Sequence, residues 1–301
     1  MTFNHTMTDG IGIIQFMNAL AEMVKGGSKP SVLPVWKREI LRPRTKPTVK
    51  FPLYEYDQIE DTDGQLVSAN ELIHKSFFFG HKEIESLKRQ AVGKGKYTTF
   101  EVLSAFLWRL RTKAVQLAAR QEARLIFTVD ARNKSEPPLP EGFYGNAISL
   151  ACAKATAEEL ANKPLSFAMK LINEAKTAVN DEYMRSTIDL MELKGRPHCT
   201  VVNTFFVSDV SKMRFRDVDF GWGGASYGGL ARGGVGVVPG LVNNFISHCN
   251  TSGVEGIVVP FVCLLLPCED FKQKSIMQST KLLLFHVPAS DRTRFSRLGF
   301  L

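Results

Sequence analysis

The stretch TTFEVLSAFLWRLRTKAVQLAARQEARLIFTV, residues 98–129, joins a strong helix signal to a strand signal. Thr98 stands three residues before Glu101, which is the spacing of a capping box, where each side chain bonds the backbone amide of the other residue. This spacing predicts a helix that runs through Val115. The apolar run Leu125 to Val129 then predicts a strand. A helix followed directly by a strand favours a mixed α/β domain.

The same alternation continues along the 301 residues. Helices are predicted at Ile11–Val24, His81–Gln90 and Pro164–Val179, and strands at Lys75–Phe79, Ala147–Ala153, Thr200–Ser208 and Gly256–Leu266. We therefore expect an α/β fold in which helices flank a mixed sheet. Residues 28–66 are rich in proline and charge, and they predict a long connection between two sub-domains.

Composition narrows the class of protein. The net charge is +8, but the basic residues are scattered and form no stripe interleaved with aromatics, which disfavours nucleic acid as a partner. The five cysteines include no C-x-x-C pair and, with the six histidines, show no metal-ligand spacing, so we expect reduced thiols and no metal. Neither a signal sequence nor an apolar run long enough to span a bilayer is evident, and this predicts a cytoplasmic protein without a membrane partner.

Two short motifs suggest chemistry. The first, HTMTDG at residues 5–10, is an H-x-x-x-D-G pattern, and alone it is weak because such pairs also occur as surface pairs or core histidines. The second, DFGWG at residues 219–223, is a much rarer combination. Both motifs in this order indicate a specific kind of enzyme more strongly than either alone.

Together these motifs resemble the BAHD family of acyl-CoA-dependent acyltransferases, and most of all its plant ester-forming alcohol acyltransferases. Further segments are similar to family motifs: Val129–Arg132, Gly142–Asn146, the helix Thr99–Arg111, Val207–Val210 and Gly256–Pro260. The resemblance runs almost continuously from residue 3 to about residue 270. It implies a chloramphenicol-acetyltransferase-like fold.

The resemblance also implies a reaction, in which an acyl group of benzoyl type or a short acyl group moves from a CoA thioester to a small alcohol. His5 is the expected general base, since a histidine with an ordinary pKa near 6.5 can take the hydroxyl proton. Transfer is expected to be direct, without an acyl-enzyme. Acyl-CoA is then a co-substrate, no cofactor is bound permanently, and the protein is expected to be monomeric.

Roles for other residues follow from the matching positions. Asp9 is expected to pair with Arg132 and to be structural, while Gly10 is expected to permit a sharp backbone path into the helix. The loop formed by Asp219, Gly221, Trp222 and Gly223 is expected to shape the CoA side of the site, with Trp222 in the core rather than stacked on a substrate. For Tyr144, Asn146 and Ser208, contact with substrate or CoA and a plain packing role remain equally open.

The chain also departs from the family pattern. Family members have a whole sub-domain before the H-x-x-x-D-G motif, whereas here His5 comes four residues after Met1. We therefore expect residues 1–27 to be a remnant of that sub-domain, 28–74 a crossover linker, 75–273 the C-terminal acyltransferase sub-domain and 274–301 an atypical tail.

The alternative is a truncated, impaired fragment that at most binds acyl-CoA or a partner. Other H-x-x-x-D-G families, such as chloramphenicol acetyltransferases and condensation domains, are disfavoured by the DFGWG motif. The interpretation of the chain as a nucleic-acid-binding protein would rest on its net charge alone.

Overall fold

The computed structural model describes residues 3–57, 72–90, 96–225, 228, 234–235, 238–239, 242–250 and 252–264. Its helices are α1 (Gly10–Val24), α2 (His81–Gln90), α3 (Thr99–Ala114), α4 (Ala157–Asn162), α5 (Leu165–Ala178) and α6 (Asp181–Leu193). Its strands are β1 (Leu72–Gly80), β2 (Glu122–Asp130), β3 (Ile148–Thr156), β4 (Thr204–Asp209), β5 (Gly234–Val235), β6 (Val238–Pro239), β7 (Val242–Cys249) and β8 (Glu255–Leu264). None of the helices within these residues is long and apolar enough to cross a membrane.

Six of these strands form one sheet in the order β1-β8-β7-β4-β2-β3, and β5 pairs with β6 in a separate small hairpin. The central strands β2, β4 and β7 run parallel, with Phe127 opposite Val207. The outer pairs are antiparallel, as in β7 and β8, where Ile246 lies opposite Val258. The mixed α/β fold predicted from the sequence is confirmed.

Helix α3 is the centre of the core. Its capping box forms as predicted, because Thr98 Oγ1 accepts from Glu101 N at 3.3 Å and Glu101 Oε2 accepts from Thr98 N at 2.7 Å. Glu101 is fully buried and also bonds Asn173 Nδ2 at 2.8 Å, so the cap ties α3 to α5. The apolar face of α3 packs under the sheet, where the large side chains are almost completely buried, among them Trp108, Phe127, Phe205 and Phe245.

Some elements differ from the sequence prediction. The strand expected from Thr200 begins only at Thr204, because Asn203 adopts a positive φ of 49° and the chain turns before it pairs with β2. Helices α4 and α6 were not predicted, although Thr156 and Asn180 cap them. Strand β7 was also missed. Its sequence VNNFISHC has two asparagines and weak strand propensity, so pairing with β4 and β8 decides its conformation.

The crossover segment contacts the C-terminal region of the chain through α6. Asp189 accepts bonds from Arg44 N at 2.9 Å, from Arg44 Nε at 2.6 Å and from Thr48 N at 2.7 Å. Ser186 Oγ accepts from Lys50 N at 3.1 Å. Residues 44–50 therefore pack on this helix. Residues 58–71 of the predicted linker, and the predicted tail at 274–301, lie outside the described residues.

Candidate active site

His5 lies in an exposed turn immediately before α1. Asn4 shapes this turn: its Oδ1 accepts from Thr6 N at 2.9 Å and from Thr6 Oγ1 at 2.8 Å, and its carbonyl accepts from Met7 N at 3.0 Å. Among the described residues, no side chain hydrogen-bonds the His5 imidazole. The ring is therefore presented to solvent on a turn with defined backbone geometry.

Asp9 is 2% exposed and faces the protein interior. Its Oδ1 accepts from Gly12 N at 3.0 Å, which caps α1, and from Arg132 Nη2 at 2.9 Å, while Oδ2 accepts from Ala147 N at 3.0 Å. The contact with Arg132 is the one that the resemblance implies. A buried carboxylate that accepts from three donors is well satisfied within the protein, so its geometry fits a structural role, and Asp9 does not bond the His5 ring.

Arg132 connects this carboxylate to the loop at residues 142–146. Its Nε donates to Phe143 O at 3.2 Å and its Nη2 to Gly145 O at 2.9 Å. The same guanidinium contacts the exposed Asp130 through Nη1 at 3.0 Å. One side chain therefore holds the start of α1, the end of β2 and this loop together.

The loop at residues 142–146 also contacts the His5 turn directly. Asn146 Nδ2 donates to His5 O at 2.7 Å, and Thr8 Oγ1 donates to Tyr144 O at 2.7 Å. The Tyr144 ring packs against Trp36, with ring centroids 5.4 Å apart. Asn146 thus contacts His5 itself, whereas Tyr144 contacts Thr8 and Trp36.

Two glycines at the start of α1 differ in importance. Gly10 has no positive φ, and a Cβ there would meet only the flexible side chain of Met213, at 2.5 Å. A Cβ on Gly12 would lie 2.1 Å from both Thr8 Oγ1 and Tyr144 O. The sharp backbone path expected at Gly10 is therefore not what this region requires. Close approach at Gly12, which the sequence analysis did not identify, is the stronger constraint.

Ser208 lies near the end of β4, and its hydroxyl is 3.2 Å from Thr128 Oγ1 on β2. Since β2 and β4 are parallel, their carboxyl ends share one edge of the sheet. Asp130 ends β2 at that edge and contacts Arg132. Ser208 therefore lies at the same end of the sheet as the Asp9–Arg132 pair.

The loop at residues 219–223 is held by Asp219, whose Oδ1 accepts from Gly221 N at 2.8 Å and from Gly223 N at 2.9 Å. These backbone bonds hold the pKa of the Asp219 carboxyl below its usual range. Gly221 and Gly223 have φ values of 100° and 103°, a region that favours glycine.

The prediction that Trp222 lies in the core is wrong, since its side chain is 89% exposed. Trp222 lies between two glycines with positive φ, and its indole faces solvent. The loop also lies beside Lys25, at the far end of α1 from His5. The 15 residues of α1 span about 22 Å, so the structure does not bring the two motifs together.

An open cleft of about 520 Å³ lies beside the segment that leads to this loop, and it is lined by Ser211, Arg214, Arg216, Asp217, Ser247 and Glu255. The lining carries both signs of charge. Within the part of the chain that the structure describes, no group of three or more His, Cys, Asp or Glu side chains could hold a metal ion.

Sequence reasoning missed one residue that contacts the His5 turn. Arg38, in the crossover, donates from Nη1 to Thr6 O at 3.2 Å and from Nη2 to Met7 O. Its guanidinium lies 3.9 Å from the centroid of the Trp36 ring. Neither periodicity nor a motif marks Arg38, because it lies in an irregular, basic stretch of the linker.

The fold of this chain is that of the chloramphenicol-acetyltransferase-like transferases. It is similar to a solved structure of vinorine synthase, with a TM-score of 0.64 and 17% identity, over 94% of this chain and 62% of that one. It is also similar to F. sporotrichioides TRI101 complexed with coenzyme A and T-2, with a TM-score of 0.68 and 17% identity, over 91% of this chain and 65% of that one.

Sequence comparison then identifies the family. A model described as Transferase family matches residues 1–235. Benzyl alcohol O-benzoyltransferase of Nicotiana tabacum is 48% identical over 265 residues, which cover 88% of this chain and 57% of that protein. Alcohol acyl transferase 1 allele RGb of Malus domestica is 37% identical, over 91% of this chain and 60% of that protein. The chain belongs to this transferase family, the BAHD acyltransferases, and spans less than two thirds of the length of these relatives.

Proposed function

We propose that this chain carries the catalytic histidine of an acyl-CoA-dependent alcohol O-acyltransferase. The observation that supports this most directly is the geometry around the H-x-x-x-D-G motif. His5 is solvent-facing on a turn held by hydrogen bonds, whereas Asp9 is buried and committed to Arg132. The names of the relatives support an alcohol acceptor and an acyl group of benzoyl type or a short acyl group.

In the proposed reaction the neutral His5 ring accepts the hydroxyl proton while the alcohol oxygen adds to the thioester carbonyl. The tetrahedral oxyanion then collapses, the carbon–sulfur bond breaks, and His5 returns the proton to the departing CoA thiolate. The products are an ester and free CoA. Acyl-CoA is consumed as a co-substrate, and no resident cofactor, metal or acyl-enzyme takes part.

The remaining assignments belong to the same proposal. Asp9 and Arg132 keep the histidine turn in place, and Gly10 has a structural role as the first residue of α1. Tyr144, Asn146 and Ser208 are proposed to contact acyl or CoA groups. The loop of Asp219, Gly221, Trp222 and Gly223 has a structural role. We propose a monomeric cytoplasmic protein that binds neither nucleic acid nor membranes.

We further propose that the 301-residue chain alone transfers acyl groups slowly. It spans 57% of the tobacco relative, and α1 and the crossover expose large apolar side chains such as Phe16 and Leu33. A site assembled from part of such a fold would position its substrates poorly, and misplacement by about 1 Å can cost roughly 10²-fold in rate. The alternative is a non-catalytic fragment that at most binds acyl-CoA or a partner.

The test is a single-turnover assay with protein in excess over benzoyl-CoA or acetyl-CoA and with benzyl alcohol as acceptor, followed by thiol release. His5→Ala should lower the rate by about 10²–10⁴-fold, the usual contribution of a general base, while acyl-CoA binding is retained. His198→Ala is the matched control, because His198 is also exposed.

Three results would contradict the proposal. An unchanged rate in His5→Ala would show that His5 is not the general base. A stable adduct of acyl mass, seen by mass spectrometry after mixing with acyl-CoA alone, would replace direct transfer with a covalent route. Binding of acyl-CoA by the parent without any thiol release would favour the non-catalytic fragment.

A further inference from the structure

The backbone carbonyls of three successive residues in the histidine turn accept bonds from distant side chains. Asn146 Nδ2 donates to His5 O at 2.7 Å. Arg38 donates from Nη1 to Thr6 O at 3.2 Å and from Nη2 to Met7 O. Two arms of one guanidinium thus hold adjacent carbonyls, a geometry that suits the planar fork of arginine and not the single ammonium of lysine.

Arg38 is itself held in place. Arg38 Cζ lies 3.9 Å from the Trp36 ring centroid, and Trp36 packs on Tyr144. A Cβ at Gly145 would lie 3.8 Å from Arg38 Cζ, so the backbone of the loop at residues 142–146 passes close to the guanidinium. Val35 N donates to Gly142 O at 2.9 Å, which fixes the crossover against the same loop.

Packing contributes little to the position of the turn. His5 and Thr6 are exposed and Met7 is 57% exposed, so the turn buries little apolar surface. Charge-assisted hydrogen bonds are roughly twice as strong as neutral ones. The bonds from Arg38 are therefore a main constraint on where the backbone beside His5 lies.

We propose that Arg38 is a positioning residue for His5, through which the crossover sets the geometry of the catalytic base. This inference rests on the proposed function of His5. Arg38 does not touch the reacting atoms, because it acts through the carbonyls of Thr6 and Met7. Loss of its bonds should allow the imidazole to move relative to the acceptor alcohol, and the rate should fall while substrate affinity is kept.

The first test is hydrogen–deuterium exchange on the 301-residue chain. Arg38→Met keeps an unbranched, flexible side chain and removes the guanidinium donors, and Arg42→Met is the control, since Arg42 is exposed in the same segment. Arg38→Met should speed exchange in residues 3–9 about tenfold, with β2 unaffected, because a charge-assisted bond that restrains the turn is lost. Equal exchange in residues 3–9 for parent and Arg38→Met would overturn the inference.

The second test is turnover in the single-turnover assay above. Arg38→Met should lower the rate by about 10–100-fold with acyl-CoA binding unchanged, and Arg38→Lys should recover only part of the loss. In the His5→Ala background, Arg38→Met should cost nothing further, because a positioning residue has no base left to position. A loss that persists in that background would instead show a merely structural role.

The two proposals fail separately. If His5→Ala leaves the rate unchanged, the base assignment fails. If His5→Ala lowers the rate and Arg38→Met does not, only the inference about Arg38 is wrong. If the parent releases no thiol, the exchange experiment alone decides whether Arg38 holds the turn, and an effect of Arg38→Met on acyl-CoA binding would argue against the positioning role.

Discussion

Asp9 and Asp130 contact the same guanidinium in very different surroundings. Asp9 is buried, with two backbone amides as further donors, whereas the side chain of Asp130 is 41% exposed. Breaking a buried ion pair leaves an uncompensated charge, but an exposed pair is screened by water. The contribution of each carboxylate to stability should therefore differ, although both distances to Arg132 are close to 3 Å.

We predict that Asp9→Ala lowers the free energy of unfolding by about 3–5 kcal/mol, because Arg132 loses its buried partner and α1 loses its cap. Asp9→Asn should cost less, since an amide oxygen can still cap Gly12 N, and it should keep partial activity. Asp130→Ala is the control and should cost about 1 kcal/mol or less. Urea unfolding measures all three, and equal losses for Asp9→Ala and Asp130→Ala would contradict this account.

Glu55 is another buried carboxyl, and among the described residues no cation forms a hydrogen bond or ion pair with it. It is fully buried, its Oε1 accepts from Tyr183 Oη at 2.8 Å, and its Oε2 has no partner among the described residues. Burial raises the pKa of Glu55 from its ordinary 4.5 to about 7. The folded protein therefore binds this proton more tightly than the unfolded chain does.

A raised carboxyl pKa gives stability that is largest below pH 4.5 and is lost as the pH rises to about 7. We predict that this group lowers the free energy of unfolding by up to about 3 kcal/mol between pH 5 and pH 8. In Glu55→Gln, which has no proton to lose, that decline should disappear. The exposed Glu39→Gln should keep the slope of the parent, and equal slopes for parent and Glu55→Gln would show that Glu55 is ionised throughout.

At the scale of secondary-structure elements, residues 44–50 of the crossover are fixed against α6. Hydrogen bonds from Arg44 and Thr48 converge on Asp189 of α6, whose side chain is 1% exposed. Glu182, about two turns earlier on the same face of α6, contacts Arg44 Nη1 at 2.8 Å and Lys50 Nζ at 3.5 Å. The buried carboxylate is therefore the anchor, and the partly exposed one adds little.

We predict that Asp189→Ala releases residues 44–50 and lowers the free energy of unfolding by about 3–5 kcal/mol. Trypsin should then cleave the native protein after Arg44 or Lys50 more readily. Glu182→Ala, at 33% side-chain exposure, should cost about 1 kcal/mol or less and leave cleavage close to that of the parent. Unaltered proteolysis in Asp189→Ala would mean that other contacts hold the crossover.

At the scale of the whole molecule, several large apolar side chains face solvent. These are Met7, Phe16, Met23, Val24, Leu33, Trp36 and Trp222. Their exposed fractions range from 42% for Met23 to 89% for Trp222. Apolar patches on monomeric proteins mark interaction sites or promote aggregation. The functional form that we propose is monomeric, so association through these groups should be non-specific.

We predict that the 301-residue chain binds a hydrophobic dye and associates increasingly with concentration in light scattering. Replacing Phe16 and Met23 together with glutamine should reduce both effects, because these two side chains lie on the solvent-facing side of α1. Val201→Thr, a change at a distant exposed valine, is the control. A chain that stays monomeric at high concentration and binds no dye would contradict the prediction.

Sequence alone determined the features whose signals are local. The capping box of α3 joins residues that are three apart in the sequence. The H-x-x-x-D-G motif likewise places His5 and Asp9 only four residues apart. Neighbouring residues therefore specify both the cap and the motif. The family, and with it the pairing of Asp9 with Arg132, followed from motifs that can be read without coordinates. The resemblance, however, could not say which side chains hold the histidine turn.

Tertiary structure decided the contacts between residues far apart in the chain. Arg38 reaches Thr6 across 32 residues and Asn146 reaches His5 across 141, distances over which no periodicity carries information. The close approach at Gly12, the outward Trp222 and the pairing of β7 between β4 and β8 have the same origin. Each depends on how whole elements pack, because burial and hydrogen-bond satisfaction are properties of the assembled fold and not of any short segment.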